Sequence, residues 1–300
     1  MLDVIPDLKL PVGVAVSADG KYVYVAEFGN NTLTVIDAAS DQILYNAIYA
    51  GSKPYGVALT PNGKKVYVTS TGEALGFRTN NLIQSQLLLS SGTNFGLAVS
   101  PNGKTLYVVN SGNNQISVFD TGGQGSFVTN IAVGNVPVYV AFTPDGKTAY
   151  VTNNNDGTVS VIDVKTNSAT GSPITGLTYP RGINITPDGK TAYALDLHDV
   201  AVIDTKTNMV SSSIDLSSYG NPGSTMALTP DGKYLYVPVQ AVPNGSLVVT
   251  NTATNAVTTP APAVEFVAEP SAIAISPDGK HAYVTDYLDG TLTVIAISGD

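Results

Sequence analysis

The sequence of 300 residues contains no cysteine and no tryptophan, and its arginines are limited to Arg78 and Arg181. Without cysteine there is no disulfide framework, no thiolate nucleophile and no cysteine-based metal site. The formal net charge of −9 and the lack of basic clusters argue against binding to nucleic acid. No apolar run approaches the ~18 residues of a membrane-spanning helix. The first residues are not a signal peptide, so we expect any export signal to have been removed.

What the sequence does have is a repeated tight turn of the form Asp-Gly-Lys or Asn-Gly-Lys. Its glycines are Gly20, Gly63, Gly103, Gly146, Gly189, Gly232 and Gly279, spaced by 40 to 47 residues. Asp-Gly and Asn-Gly between apolar alternating runs favour a β-hairpin, because both residues tolerate positive φ. A spacing of this length is typical of a repeat protein in which each unit is one small sheet.

One complete unit predicts four short strands. In the fourth copy we expect strand A over residues 138–143, strand B over 147–153, strand C over 158–163 and strand D over 168–175. The runs are rich in β-branched and aromatic residues, which favour strands. Seven such units predict an all-β fold, a seven-bladed β-propeller of four-stranded antiparallel blades. We expect residues 1–300 to form this propeller as one domain.

Strand B carries the motif that identifies a resemblance. Tyr150-Val151-Thr152-Asn153 matches the signature of the YVTN β-propeller repeat, and Tyr67-Val68-Thr69-Ser70 and Tyr283-Val284-Thr285-Asp286 nearly match it. The sequence resembles this family over almost its whole length. The resemblance implies a binding or interaction scaffold that is periplasmic or extracellular, often surface-associated and surface layer-like. Similar propellers also include lactone hydrolases and a lyase with a histidine base.

The ends of the chain predict how the ring closes. Residues 1–10 stand where a strand D precedes every later strand A, and the last unit stops after strand C near Thr291–Ile297. We therefore expect the N-terminal segment to pair into blade 7, with residues 11–300 forming the repeats. Such closure would hide two sheet edges.

Three stretches depart from the repeat. In the second unit the loop and strand are three residues short and Phe77 takes the place of the usual Asp, which predicts a distorted strand C. Pro238 in strand B of the sixth unit predicts a local break in the sheet ladder. The approach to the seventh unit, residues 258–265, is unusually long.

Most acidic residues have a structural explanation. Aspartates that end strand C or occupy the A–B turn are predicted to accept hydrogen bonds from turn N–H groups. The opposite face, built from B–C and D–A loops, is expected to be acidic and to favour cations, basic peptides or metal ions. Its acidic residues are Glu27, Glu73, Asp156, Asp196, Asp199, Glu269, Asp286 and Asp289, with Glu265 nearby, against only Lys53 and Arg181.

Three carboxylates share the last position of the strand B signature: Glu27, Asp196 and Asp286. Glu27 and Asp286 would lie in neighbouring blades once the ring closes. Oxygen ligands at one level could hold Ca²⁺ or Mg²⁺. Alternatively, the carboxylates shift each other's pKa for proton transfer, or they are solvated loop ends.

The start of strand A is expected to line the mouth of the central channel, where Arg181 is the only cation. Its guanidinium suits a carboxylate or lactone oxygen, or it pairs with Asp196 to hold the rim together. Tyr55 and Phe95 occupy the same level in other blades, where they either stack on a ligand or pack between blades.

Two functions remain open from the sequence. The first is a non-catalytic binding propeller with its ligand site at the acidic channel mouth. The second is an enzyme in which His198 is the base, Arg181 the anion anchor and Asp196 a supporting carboxylate, with Glu27 and Asp286 holding a metal or polarising water. His198 lies in a shortened loop between two aspartates, and a histidine there is either catalytic or simply exposed.

Overall fold

The computed structural model describes residues 2–89, 92–240, 245–258 and 269–297. Within these ranges the chain forms seven antiparallel sheets, and the innermost strands of neighbouring sheets contact one another. The prediction of a seven-bladed β-propeller is confirmed. The one helix in the described part of the chain is a short 3-10 turn, Ser111–Asn113.

The strands follow the chain blade by blade, from the channel outwards. The chain opens with β1 (Leu2–Ile5). Blade 1 has β2 (Pro11–Val16), β3 (Tyr22–Glu27), β4 (Thr32–Asp37) and β5 (Gln42–Tyr49). Blade 2 has β6 (Val57–Leu59), β7 (Lys65–Ser70), β8 (Glu73–Arg78) and β9 (Gln84–Leu89). Blade 3 has β10 (Asn94–Val99), β11 (Thr105–Asn110), β12 (Gln115–Asp120) and β13 (Ser126–Ala132).

The second half repeats the arrangement. Blade 4 has β14 (Pro137–Phe142), β15 (Thr148–Asn153), β16 (Thr158–Asp163) and β17 (Ser168–Ala169). Blade 5 has β18 (Ile183–Ile185), β19 (Thr191–Leu195), β20 (Asp199–Asp204) and β21 (Met209–Asp215). Blade 6 has β22 (Asn221–Pro222), β23 (Ala227–Leu228), β24 (Tyr234–Gln240), β25 (Ser246–Asn251) and β26 (Ala256–Thr258). Blade 7 has β27 (Pro270–Ile275), β28 (His281–Asp286) and β29 (Thr291–Ala296).

The core lies between the blades, because each blade packs a face against each neighbour. Strands B and C are therefore buried on both faces, as the four or five consecutive buried residues of β4 and β3 show. Strand D faces solvent, and in β5 most side chains are exposed. One cluster joins blades 5 and 6 through Tyr193, Leu235 and Val248.

The N-terminal strand closes the ring. β1 pairs antiparallel with β29, with Leu2 opposite Ile295 and Ile5 opposite Leu292. The predicted closure of blade 7 by the N terminus is confirmed. The strand itself is shorter than the predicted segment, although Leu8 N still donates to Gly290 O at 2.9 Å.

The prediction of a distorted strand C in blade 2 is wrong. β7 and β8 pair without a register shift, from Ser70 opposite Glu73 to Lys65 opposite Arg78. The loop is shortened to a two-residue turn in which Gly72 takes a φ of 81°. A shorter turn leaves the strands intact, and Arg78, not Phe77, takes the place of the usual Asp.

Pro238 does break the ladder, on the side that faces strand A. In blade 5, Leu195 N donates to Gly182 O at 2.8 Å. Pro238 holds the corresponding position in blade 6 and has no N–H to donate. Strand A of that blade is consequently split into β22 and β23, which pair separately with β24.

Strand D of blade 4 is interrupted where one strand was expected. Only Ser168–Ala169 is regular, and pairing resumes at a single bridge between Val159 and Ile174. Gly171 has a φ of 66° and Pro173 lacks an N–H, so the intervening residues cannot continue the ladder.

The aspartates of the turns have the predicted structural role. Asp231 accepts from Thr229 Oγ1 at 2.7 Å and from Lys233 N at 3.1 Å. At the end of strand C, Asp163 accepts from Thr166 N at 2.8 Å. No helix in the described ranges is long and apolar enough to span a membrane.

Candidate functional site

The central channel is narrow where the strands A approach one another. A passage of about 170 Å³ is lined by residues of several strands A, among them Gly13, Gly56 and Tyr139. A Cβ on Gly13 would lie 2.1 Å from Tyr55 O in the next blade, so a side chain at that position would force the blades apart. The channel therefore admits small groups only, and larger ligands must bind at its ends.

A wider cavity of about 330 Å³ opens at the mouth formed by the B–C and D–A loops. Its lining comes from blades 1, 2, 5, 6 and 7 and includes Tyr55, Arg181, Ser224, Glu269 and Tyr287. The mixture of aromatic rings, hydroxyls and one guanidinium is typical of a small-molecule site.

Arg181 is the cation of this cavity and is half-buried. Of the ion pairs within 4.0 Å among the described residues, none involves Arg181, and its guanidinium has no hydrogen bond there. Its electrostatic neighbours are the phenols of Tyr55 and Tyr139 and, more weakly, Asp196. Burial lowers the pKa of Arg181 but leaves it a cation at neutral pH. The site thus presents a positive charge that no carboxylate of the described residues neutralises at short range.

Tyr55 links the two channel cavities. Its ring packs edge-to-face on Phe95 with 5.0 Å between centroids, and its hydroxyl lies 3.5 Å from Ser224 Oγ of blade 6. Phe95 itself lines neither channel cavity described by the structure, so its observed contact is packing. Tyr139 stands near Tyr55 in the channel, and burial raises the pKa of Tyr139 well above its ordinary value.

The three carboxylates at the end of strand B each anchor the D–A loop that precedes their own blade. Glu27 accepts from Lys9 N at 2.7 Å and from the Thr34 hydroxyl. Asp196 accepts from Thr178 N at 2.7 Å and from Tyr179 N at 2.6 Å. The oxygens are thus engaged by backbone donors.

Asp286 follows the same rule, since it accepts from Glu269 N at 3.1 Å. In blade 4 the signature asparagine does the same, because Asn153 Oδ1 accepts from Gly134 N at 3.1 Å. Glu27, Asp196 and Asp286 are 2%, 5% and 2% exposed, so they are not solvated loop ends. Among the described residues no group of three His, Asp or Glu side chains could hold a metal ion.

Burial raises the pKa of Glu27, against the lowering effect of its hydrogen bonds to Thr34 and Lys9. The proton-transfer and metal roles considered for Glu27 and Asp286 remain predictions. The observed contacts supply a sufficient structural reason for a hydrogen-bond acceptor at this position of each repeat.

His198 lies in the loop between strands B and C of blade 5. Its side chain is exposed, and its carbonyl accepts from Leu216 N at 2.9 Å, next to the outer strand of blade 5. Electrostatic interactions link its side chain to Asp199 and Asp215. In the part of the chain that the structure describes, neither His198 nor Asp196 lines the mouth cavity that contains Arg181.

The face built from B–C and D–A loops exposes fewer carboxylates than expected, because three of them are buried and anchor loops. Those that keep exposed surface are Glu73, Asp156, Asp199, Glu269 and Asp289. Glu269 accepts from Gln240 Nε2 at 3.1 Å at the edge of the mouth cavity. Glu265 and the long approach before blade 7 lie outside the described residues, apart from Thr258.

Residues that sequence reasoning missed include Tyr139, Phe28 and Tyr287. Tyr139 replaces the small residue that other blades place next to the channel, for example Gly13 and Gly96, and this departure from the repeat was a usable signal. Phe28 and Tyr287 follow the loop-anchoring residues and pack against each other across blades 1 and 7, at 6.4 Å. Only the closed ring brings these two rings together.

Comparison with known proteins supports the fold and gives limited information on activity. Residues 91–174 match the profile of a family described as "Lactonase, 7-bladed beta-propeller", and residues 13–42 match that of the "LVIVD repeat". Each match covers a minority of the chain. No curated protein matches the sequence.

Solved structures resemble the whole chain. Hydrazine synthase of Kuenenia stuttgartiensis superposes with a TM-score of 0.84 at 24% identity, over 99% of this chain and 98% of that one. The β-propeller domain of Cps50 (Swd1) from Myceliophteria thermophila superposes with a TM-score of 0.82 at 11% identity, over the same shares of both chains. At these identities the likeness concerns the fold alone.

Proposed function

We propose that this protein is a non-catalytic binding propeller whose ligand site is the cavity at the channel mouth. The observation that carries the proposal is Arg181, a half-buried guanidinium with no carboxylate within 4.0 Å among the described residues. A desolvated cation without a close counter-ion gains most from an anionic ligand. The exposed position of His198, away from this cavity, favours binding over catalysis.

The lining indicates the ligand class. A carboxylate held by Arg181 would lie within reach of the hydroxyls of Tyr55 and Ser224. Glu269 at the edge of the cavity opposes a second negative charge and favours a cationic group there. A small organic acid, above all one with an ammonium group at its other end, satisfies both charges.

The test is a calorimetric titration with propionate, γ-aminobutyrate and the uncharged propionamide. We expect the first two to bind and propionamide not to bind. The Arg181→Gln variant should bind at least about tenfold more weakly, because it loses a charge-assisted contact. Arg78→Gln, which removes the other, exposed arginine, is the matched control and should bind normally. Equal affinity in the Arg181 and Arg78 variants would contradict the proposal.

A second candidate is lactone hydrolysis, which the partial match to a lactonase profile favours. In that case Arg181 holds the substrate, His198 is the base and Asp196 supports it, while Glu27 and Asp286 bind Ca²⁺ or Mg²⁺. Hydrolysis of γ-butyrolactone, followed by acid release with and without each metal, tests this candidate. A rate above the spontaneous one that His198→Ala abolishes would replace the binding proposal with an enzymatic one.

The resemblance to YVTN repeats also supports a location outside the cytoplasm, at or near the cell surface. Fractionation of cells of the source organism, with detection by an antibody against this chain, tests that location. Recovery in the cytoplasmic fraction alone would contradict it.

A further inference from the structure

A partly buried hydrogen bond connects neighbouring blades at three interfaces. The tyrosine of strand B donates its hydroxyl to an asparagine in the C–D turn of the next blade. The pairs are Tyr107 with Asn167 at 2.7 Å, Tyr150 with Asn208 at 2.7 Å and Tyr193 with Asn255 at 2.9 Å. The three asparagines have φ between 49° and 55°, the left-handed region that asparagine tolerates better than most residues.

Where the turn differs, another polar group meets the tyrosine. The corresponding turn of blade 3 is glycine-rich, and Tyr67 donates instead to Gln86 Oε1 at 2.6 Å. At the junction of blades 7 and 1, the turn position is occupied by Asp41, which has a φ of 56°. Its charge adds to burial in raising the pKa of Tyr283 to about 12. Asp41 Oδ1 has no hydrogen-bond partner among the described residues, so this interface places a carboxylate near the tyrosine without the regular hydrogen bond.

The interface between blades 1 and 2 differs in the residue at the turn position. Its turn position is Leu82, which keeps the left-handed backbone with a φ of 54° but offers no acceptor. Tyr24 is 1% exposed. Its hydroxyl, like those of Tyr236 and Tyr283, has no hydrogen bond to any residue that the structure describes. A cavity of about 510 Å³ lies at this position, and both Tyr24 and Leu82 line it.

We propose that this cavity is a second binding site, for a neutral small molecule that combines an aromatic body with a carbonyl oxygen. The carbonyl accepts the Tyr24 hydroxyl, as the asparagine carbonyl does at the three regular interfaces. The volume of about 510 Å³ falls within the ~300–1,000 Å³ of small-molecule sites. The site is separate from the channel mouth, since its lining comes only from blades 1 and 2.

The lining explains the preferred chemistry. Leu44, Tyr45 and Leu82 give the cavity apolar and aromatic walls, on which a ring can pack. Asp19 at the edge disfavours an anion. The Asp19 carboxylate is already engaged by Ser17 Oγ at 2.7 Å and Lys21 N at 3.2 Å, so it offers little to a cation. An aromatic carboxamide fits these conditions best.

The experiment is an NMR titration of the isotope-labelled full chain with benzamide, alongside benzoate and benzylamine. We expect benzamide to shift the amide signals around Tyr24 and Leu82 saturably, and the two charged analogues to bind more weakly. Tyr24→Phe keeps the ring and removes the donor, so benzamide affinity should fall about 5–10-fold. Tyr150→Phe, the same change at a regular interface, is the matched control and should leave benzamide affinity unchanged.

A second variant tests the cause. Leu82→Asn places the missing acceptor next to Tyr24, and it should abolish benzamide binding while its unfolding temperature stays at or above that of the parent protein. No saturable shift at these residues, unchanged affinity in Tyr24→Phe, or undiminished binding by a folded Leu82→Asn variant would each overturn the proposal.

Discussion

At the scale of single residues, the asparagines of the C–D turns serve two purposes. Each accepts a hydroxyl from the preceding blade and each occupies a left-handed backbone conformation that costs other side chains more. Asn208 is the clearest example, because its partner Tyr150 is 1% exposed. Beyond Asn208, the one other acceptor of the Tyr150 hydroxyl among the described residues is Thr205 O at 3.4 Å.

We expect Asn208→Leu to lower the free energy of unfolding by about 1–3 kcal/mol, because a buried hydroxyl loses its good acceptor. Glycine adopts the left-handed conformation easily, so the stability lost in Asn208→Gly reports mainly the missing hydrogen bond. The measurement is chemical denaturation of both variants. If Asn208→Leu were as stable as the parent protein, the Tyr150 contact would not stabilise the blade junction.

Buried carboxylates show that one residue type at one repeat position is compatible with more than one role. Three acidic residues at one repeat position suggested a metal or proton-transfer site, yet Glu27 and Asp196 each satisfy backbone N–H groups of a neighbouring loop. The asparagine in blade 4 performs the same task without charge. The sequence indicated the shared position, and only coordinates reveal which donors those oxygens meet.

At the scale of elements, the A–B turn has the same construction in every blade. A Ser or Thr hydroxyl and the Lys N–H both bind the Asp or Asn side chain, as at Asp145 and Asn62. Four of the turn lysines also lie 3.2–3.8 Å from their aspartates, but these pairs are largely exposed and contribute little. The neutral Asn62 and Asn102 turns show that the geometry does not need a charge.

The charge of these turns matters at low pH. The Thr229 hydroxyl and the Lys233 N–H lower the pKa of Asp231 to about 2, from 3.8. A carboxylate with a depressed folded-state pKa stabilises the protein above the unfolded pKa, and this stability is lost as pH falls through the folded pKa. The Asp231→Asn variant should therefore lose less of its free energy of unfolding than the parent protein does when the pH falls from 4 to 2.

Denaturation curves at pH 7, 4, 3 and 2 measure this difference. The effect of one turn is small because the Asp231 side chain is half exposed and screened by solvent. Asn62→Ala, which removes an uncharged acceptor from the same turn, should lose stability equally at all four pH values. An identical acid dependence of Asp231→Asn and the parent protein would rule out this contribution.

Elements were predictable to the extent that the repeat was regular. Turn glycines, strand-forming runs and the Pro238 break follow from local chemistry, which the sequence displays directly. The register of blade 2 was misjudged because a shortened turn and a shortened strand look alike in a sequence. The predicted strand D of blade 4, residues 168–175, is longer than the observed one, Ser168–Ala169, because Gly171 and Pro173 interrupt the pairing.

At the scale of the whole molecule, the site depends on ring geometry that no single repeat contains. Arg181 and Tyr55 could be placed at the mouth because they share a repeat position. Glu269 and Tyr287 line the same cavity only because the ring closes. The expected convergence of His198 on Arg181 stays a prediction, because His198 is not among the residues that line the mouth cavity and only the closed ring determines which loops meet there.

Ring closure depends on the short strand β1, and its contribution to stability can be measured. Ile5 is 4% exposed and packs in a cluster that joins blades 7 and 1, where Leu292 and Val23 are its companions. Its neighbour Val4 lies in the same strand but is 50% exposed. The two residues therefore share backbone pairing and differ in burial.

We expect Ile5→Ala to destabilise the protein by about 2–5 kcal/mol, the usual cost of removing a buried aliphatic side chain. Val4→Ala should cost less than about 0.5 kcal/mol, as for most exposed positions. Because β1 is the only partner of the outer edge of β29 among the described strands, the loss should also accelerate hydrogen exchange in β29. Equal effects of the two substitutions on unfolding and on exchange would show that packing of the N-terminal strand does not hold the ring closed.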